Sequence, residues 1–478
     1  MSRRPRARDL HRAALALALL LAPAAGHAAD LPTYGGELRV ALPLPPRIPD
    51  PALARELQDQ WLARALHETP LRAGPQGGLE PGLLEAVPEP QGDGRTFRLT
   101  LREGLRFSDG APLLARDLAA ALARLLRPET GSPHAWVAVA IQGADEVLAG
   151  RAAALAGVQV VSERDLVVTL AFPFPAFPAA LAALPAAVVS AGGAGAGPFR
   201  REGRDRLVAS EHHWRGRPYA DGLAFSWPDP RAAARALEAG ALDLSLRPEA
   251  SAPGHDLPAH TAVYAAVQGR RLGAGAPAVR RVLASLDRGD LVRRFVRAAA
   301  WPLEGLLPAA LTGVAEVPPA PPTAGPAPAR LSFIAPGWSS DARAVAERLQ
   351  VRLFDAGIRA ALEPLDPASY QGRLAAGDYD LALVAVPLQS AQPALAAGQV
   401  AGAVGGPRAA RRAEQALAGL PRETTRAAAE ALRLELDLWP LYLSGARLGA
   451  GVAVRGEAAP SADGAVDLGD LWRAAVPP

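Results

Sequence analysis

Three short stretches of this 478-residue chain carry residue types that could do chemistry, and each fails on spacing. His212-His213 is an adjacent histidine pair; on a strand such neighbours point to opposite faces, so they seldom share one metal ion. Gly337-Trp338-Ser339-Ser340-Asp341 places serine after glycine as a nucleophile elbow does, but it lacks the second glycine. A loop ending in a helix N-cap accounts for it. Residues 192–197 read GGAGAG, yet Pro198 stands where a dinucleotide fingerprint needs its last glycine. A crossing segment that needs backbone freedom explains the run. No His-Glu-x-x-His or Gly-x-Ser-x-Gly pattern occurs, a Walker loop would need a lysine and the 51 basic residues are all arginine, and there is no cysteine. No catalytic residue, metal or cofactor is therefore expected, and a secreted hydrolase is left without a nucleophile and base.

Residues 1–28 have the parts of a secretory signal: arginines at 3, 4, 6, 8 and 12, the apolar run Ala13 to Ala25, and small residues around His27. The apolar run is shorter than the roughly 20 residues of a membrane span. Ser2-Arg3-Arg4 hints at twin-arginine export, but the hydrophobic residues expected after the pair are missing. Without cysteine the chain can carry neither a disulfide nor a lipidated N-terminal cysteine, so a periplasmic protein free of a lipid anchor is expected. Loss of five arginines and one aspartate with residues 1–28 turns the formal charge of +3 into −1. That removes the case for nucleic acid or an anionic membrane as partner. At 50% hydrophobic and 21% charged residues the chain is long enough for two or three cores.

The elements that would position a site alternate along the chain. Gly36 to Leu42 reads as a strand, and Asp50-Pro51 turns the chain into a helical stretch from Ala52 to His67. In FRLTLREGLRFSDGAPLLARD (Phe97 to Asp117), Phe97, Leu99 and Leu101 share one strand face; Gly104 and Gly110 supply corners, and leucines at helical spacing follow. Val158 to Val161 and Leu166 to Ala171 form a hairpin-like pair. Leu223, Phe225 and Trp227 line one face of another strand. Asp229 and Pro230 open a helix that ends at Gly240 before a strand from Ala241 to Leu246. A polyproline-type connector fills 314–329. Beyond it come a strand at Leu331 to Ile334, a helix at Asp341 to Phe354 closed by Gly357, and strands at Ile358 to Leu362 and Asp380 to Val386. The fold class is α/β, with α+β mixing of sheets in more than one lobe.

In this order the segments resemble the family 5 extracytoplasmic solute-binding proteins, the peptide, dipeptide and nickel-type receptors of ABC importers. The likeness rests on LEPGLLEAV (Leu79 to Val87), on TFRLTLREGLRFSDGAPLLARDL (Thr96 to Leu118), which is the most specific stretch, and on GSPHAW (Gly131 to Trp136) and ADEVLAGR (Ala144 to Arg151). GAGPFR (Gly195 to Arg200), HWRGRPYADGLAF (His213 to Phe225), PAVRRVLASLDRGDLV (Pro277 to Val292) and WPLYLSGARL (Trp439 to Leu448) continue it. The resemblance implies a two-lobed periplasmic-binding-protein fold of the class II type with an extra subdomain. Lobe I would comprise 29–50, 195–255 and 440–478, the extra subdomain 51–194, and lobe II 256–439. It implies a monomer that closes an inter-lobe cleft on a small-molecule or peptide-like solute and presents it to an ABC permease at the inner membrane. A diverged paralogue that keeps the fold as a sensor or structural partner is the alternative.

By their nearness to the matched motifs, Trp136, His134, Trp338, Gln389 and Tyr442 are expected to line the solute pocket. After GDYD (Gly377 to Asp380) the peptide receptors have a tryptophan and, three residues on, the aspartate that pairs with the ligand ammonium. Here Val386 and Gln389 stand at those positions. A neutral amide cannot compensate a buried cation, so free-amine peptides are expected to be poor ligands. Leu114 replaces an N-capping threonine, with Asp117 left near the helix start. Asp243, Asp287 and Asp380 are expected to be caps and strand-end acids.

Overall fold

The computed structural model describes residues 32–47, 49–74, 78–246, 253–313, 325–456 and 466–474. The expected leader, 1–28, and most of the proline-rich connector, 314–324, lie outside them. Three sheets carry the architecture. In the first, Glu37–Ala41 runs parallel to Gly222–Ser226 on one side and Leu244–Ser245 on the other, with Val40 opposite both Phe225 and Leu244. Gly254–Asp256 and Arg447–Ala450 extend one edge, and Arg206–Ala209 and Phe199–Arg201 the other. Leu38, Val40, Leu223 and Leu244 are buried against the helix Leu57–Leu66, whose Trp61 is 1% exposed.

The second sheet runs in the order Ala300–Pro302, Leu438–Ser444, Thr261–Val267, Leu381–Pro387, Leu331–Pro336, Ala360–Leu365. Its central strand shows period two: Val263, Ala265 and Val267 face the helices Ala276–Ala284, Arg288–Phe295 and Ser340–Asp355, while Ala262, Tyr264 and Ala266 face the opposite core. The third sheet is antiparallel, with Thr96–Thr100 pairing Asp165–Thr169 and then Val158–Val160 at its edge. Phe97 and Leu99 lie opposite Val168 and Leu166 and are fully buried, as the alternation requires. Gly104 and Gly110 take positive φ at the two corners. The core of this third module is continuous with that under the second sheet.

The span Pro393–Leu417 is two helices, broken at Gly406 (φ 71°, ψ −171°) and Pro407. They fold back on each other so closely that a Cβ on Gly398 would come within 2.7 Å of Glu414 Oε1, and one on Gly405 within 2.6 Å of Ala409. A seam of glycine and alanine lets the backbones approach this near.

Several sequence expectations need correction. The helix expected from Ala52 begins at Leu57, because Asp50 accepts from Ala52 N and Leu53 N and holds a turn there. That helix belongs to the first sheet's core, not to the third module. The boundary expected at residue 440 falls inside Leu438–Ser444, a strand that the central strand of the second sheet needs as its neighbour; the chain rejoins the first sheet at Arg447. The strand expected from Ala241 shrinks to Leu244–Ser245, since Ala241 N and Leu242 N donate back to Ala236 O to end the preceding helix. Trp227 lies past its strand and is 43% exposed. His212 and His213 sit in and just after a turn, beyond the end of a strand. The glycines of GGAGAG serve close approach: a Cβ at Gly195 would lie 2.0 Å from Leu66 O, and one at Gly197 2.5 Å from Leu66 C.

The smaller readings of caps match the structure. Asp229 caps Pro230–Glu238, Ser339 caps Ser340–Asp355 and Asp287 caps Arg288–Phe295. Asp117 accepts from Leu114 N at 2.8 Å, which partly replaces the missing cap side chain. Asp243 is buried on Arg39, and Asp380 accepts from Ser332 N.

Candidate functional site

The chain passes between the first and second sheets twice, side by side. Leu257 N donates to Ala446 O and His260 N to Ser444 O, and Gly445 presses on Leu257 O. Near this crossing a cavity of about 320 Å³ opens between the lobes. Its floor is the second sheet, through Val263, Leu383, Ala385 and Tyr442. Trp338 and Asp341 come from the start of the helix Ser340–Asp355, His134 and Trp136 from the third module, and Arg55 and Glu56 from the turn before Leu57–Leu66.

Four of the five residues expected at the solute meet here: His134, Trp136, Trp338 and Tyr442. Burial holds the His134 imidazole neutral by pushing its pKa down to about 4, and its Nε2 donates to Ala54 O at 2.8 Å. Trp338 stands edge-on to Tyr370 at 5.6 Å, and its Nε1 donates to Glu56 Oε1 at 2.9 Å. Tyr370 is itself fixed by a bond from its hydroxyl to Leu383 O. Burial pushes the Tyr442 phenol pKa up, so it remains a neutral hydroxyl in the wall. Gln389 is not in the wall: it is buried behind it, and its backbone N–H donates to Oε1 of Gln399, which does line the cavity. The strand Leu381–Pro387 turns away after Pro387, and Leu388 N bonds to His260 O, which carries residue 389 out of reach. The expectation that a neutral amide at 389 meets the ligand amine therefore loses its basis.

Sequence reasoning missed Arg55, Glu56, Asp341 and Gln399. The signal for the first two was the Asp50-Pro51 turn, which was read as starting a helix five residues too early. Arg55 donates from Nη1 to Gln371 Oε1 at 2.6 Å, and burial pulls its pKa down to about 10 against the pull of Glu56. Glu56 is an exposed residue of the cavity wall, and the protein around it raises its carboxyl pKa against the Trp338 bond and the Arg55 charge. Asp341 Oδ2 accepts from Arg297 N and Ala298 N, each at 3.1 Å.

A second polar cluster lies where the third module, the first sheet and the segment 466–474 meet. Buried Glu68 accepts from Trp214 Nε1 at 3.1 Å and lies 3.3 Å from both Arg72 Nη1 and His213 Nε2. Burial by itself would push the Glu68 carboxyl up; the His213 hydrogen bond and the Arg72 charge overcome it and hold its pKa below the usual range. Arg72 and Arg215 both pair with Asp467. Among the described residues no group of three or more His, Asp or Glu side chains could hold a metal ion.

Two lobes joined by paired crossings around an aromatic-walled cavity define a two-lobed solute-binding protein. A family model described as bacterial extracellular solute-binding proteins, family 5 (middle), matches residues 78–397, and the chain belongs to that family. The dipeptide-binding protein of Lactococcus lactis is 30% identical over 125 residues, 25% of this chain and 22% of that protein. The periplasmic murein peptide-binding protein MppA of Escherichia coli is 33% identical over 131 residues, 27% of this chain and 24% of that one. The aligned stretch thus spans about a quarter of these curated relatives' length.

Solved structures cover far more of the chain. A structure of MppA superposes with a TM-score of 0.74 at 19% identity over 93% of this chain and 99% of that one, while MppA's unliganded open form gives 0.64. Haemophilus influenzae OppA in complex with RPPGFSPFR gives 0.75 at 17% identity over 92% and 99%. The fold is the two-lobed one of these binding proteins. Among the described residues no helix is long and apolar enough to cross a membrane.

Proposed function

We propose that this protein is the extracytoplasmic solute-binding subunit of a peptide-type ABC importer, capturing a small solute in the inter-lobe cavity and passing it to a permease without making or breaking a bond in it. The observation that carries this reading is the cavity itself, walled by both lobes and placed beside two adjacent crossings about which the lobes could turn. A guest held there favours the closed arrangement by its differential affinity for it. The relatives named above are a dipeptide-binding and a murein peptide-binding protein, which supports a peptide-like solute.

In this reading Trp136, Trp338 and Tyr442 give the solute apolar faces and His134 a fixed neutral edge, while Gln389 acts only by steadying Gln399. The first sheet with its helix forms one lobe, the second sheet the other, and the third module a subdomain between them. The protein works as an exported monomer, with residues 1–28 as its leader. Native mass spectrometry of protein purified from its own periplasm is expected to reveal a small captured molecule. Small-angle scattering should show compaction when that molecule is returned to solute-free protein, and an unchanged profile at saturation would overturn the hinge.

A further inference from the structure

Two side chains of the cavity wall, Gln60 and Gln399, are more than nine-tenths buried, and each keeps one amide atom without a partner among the described residues. A side-chain amide offers a donor at one end and an acceptor at the other, and here a backbone group decides which end is left open. Gln60 Nε2 donates to Arg55 O at 3.0 Å, so the open atom is its oxygen, Oε1. Gln399 Oε1 accepts from Gln389 N at 3.0 Å, so the open atom is its amino nitrogen, Nε2. Both open atoms keep solvent contact at the cavity. They come from opposite lobes. Gln60 sits on the helix Leu57–Leu66 against the first sheet, and Gln399 on the helix that starts at Pro393 and packs on the strand Leu381–Pro387 of the second. Other polar groups of the wall are spent inside the protein: His134 Nε2 on Ala54 O, the Tyr370 hydroxyl on Leu383 O, and Asp341 on two backbone N–H groups. Lobes closing on a guest take water from both open amide atoms, and a buried donor or acceptor left unmet costs more than an ordinary hydrogen bond gains.

We infer that Gln60 and Gln399 set specificity by reading an uncharged amide group of the solute, Gln60 accepting from its N–H and Gln399 donating to its C=O; this rests on the receptor reading above. A planar trans amide points its N–H and its C=O in opposite directions, which suits an acceptor on one lobe and a donor on the other. The volume of about 320 Å³ sits at the low end of ligand cavities and limits the guest to a small molecule. Position 389 then contributes through its backbone N–H, which turns the Gln399 amide so that the donor faces the guest.

The test is a competition read by native mass spectrometry. Dialysed protein is offered an equimolar library of dipeptides together with their ester-linked counterparts, in which oxygen replaces the peptide N–H and a heavy-isotope label marks the ester. The wild type should retain each amide over its ester by roughly tenfold, the scale of one hydrogen bond to a buried partner. Gln60→Met, which removes the acceptor, should bring that ratio close to unity. Gln399→Met should leave the ratio as it is and retain roughly tenfold less of both members. Wild-type protein that retains amide and ester alike, or retains none of the library, overturns the assignment whatever the variants do. So does Gln60→Met with an unaltered ratio, or Gln399→Met with unaltered retention. The receptor reading survives each of these outcomes if protein from its native compartment carries a captured solute.

Discussion

Glu56 and Glu68 flank the same helix, Leu57–Leu66, and the fold treats them in opposite ways. Glu68 is surrounded by Arg72, His213 and Trp214, and its carboxylate is fully used inside the protein. Glu56 has one hydrogen bond and an arginine beside it that points elsewhere. A buried charge with a complete set of partners is part of the architecture, because taking a partner away strands the others in a poor solvent. Glu56 is exposed at the cavity wall, where solvent completes its set, so the fold depends on it far less. Glu414 is a third case: wholly buried, with no partner for either oxygen among the described residues, it is held in the protonated form by burial, against the weaker pull of Arg411.

Removing Glu68 should have the largest effect. Glu68→Ala strands Arg72, His213 and Trp214 and should lower stability by about 3 kcal/mol, measured as a fall in the urea midpoint. A loss below about 1 kcal/mol, the scale of an exposed ion pair, would break the contrast. Glu414→Gln should come next and act with the opposite sign. A carboxyl whose pKa is raised by folding makes the folded state bind more protons, so stability falls as pH rises above the unfolded value of about 4.3. The amide should therefore raise the melting temperature at pH 7, with the gain disappearing as the pH falls to about 4. An equal shift at both pH values would show that the carboxyl is not protonated in the fold. Glu56→Gln should be the mildest, within about 0.5 kcal/mol of wild type in the absence of solute. A loss beyond about 2 kcal/mol in the same urea titration would place Glu56 with Glu68 as an architectural residue.

Where structure is decided within a few residues, the sequence was readable. The unit from Phe97 to Asp117 announced itself through strict alternation and two glycines at positive φ, and Asp229-Pro230 through cap chemistry. Where it is decided by distant partners, it was not. GGAGAG is correctly placed as a crossing, but its glycines are required by Leu66, far away in sequence, and no local pattern shows that. The turn that throws Arg55 and Glu56 into the cavity depends on Asp50, whose carboxylate is tied to Arg124 on another element. Gln389 was assigned by counting from a matched motif, and the chain leaves the cavity two residues before it. Aromatic wall residues were found because motifs anchor them; the charged ones were missed because they lie in a turn without a motif.

The helices of Pro393–Leu417 pack on the turn Ala135–Val137 of the third module, and Ala394, Ala397 and Ala401 are buried in the core the two share. Alanine and glycine have no side-chain rotamers to lose when they become ordered. The glycine and alanine seam between the two helices therefore forms with almost no loss of side-chain freedom.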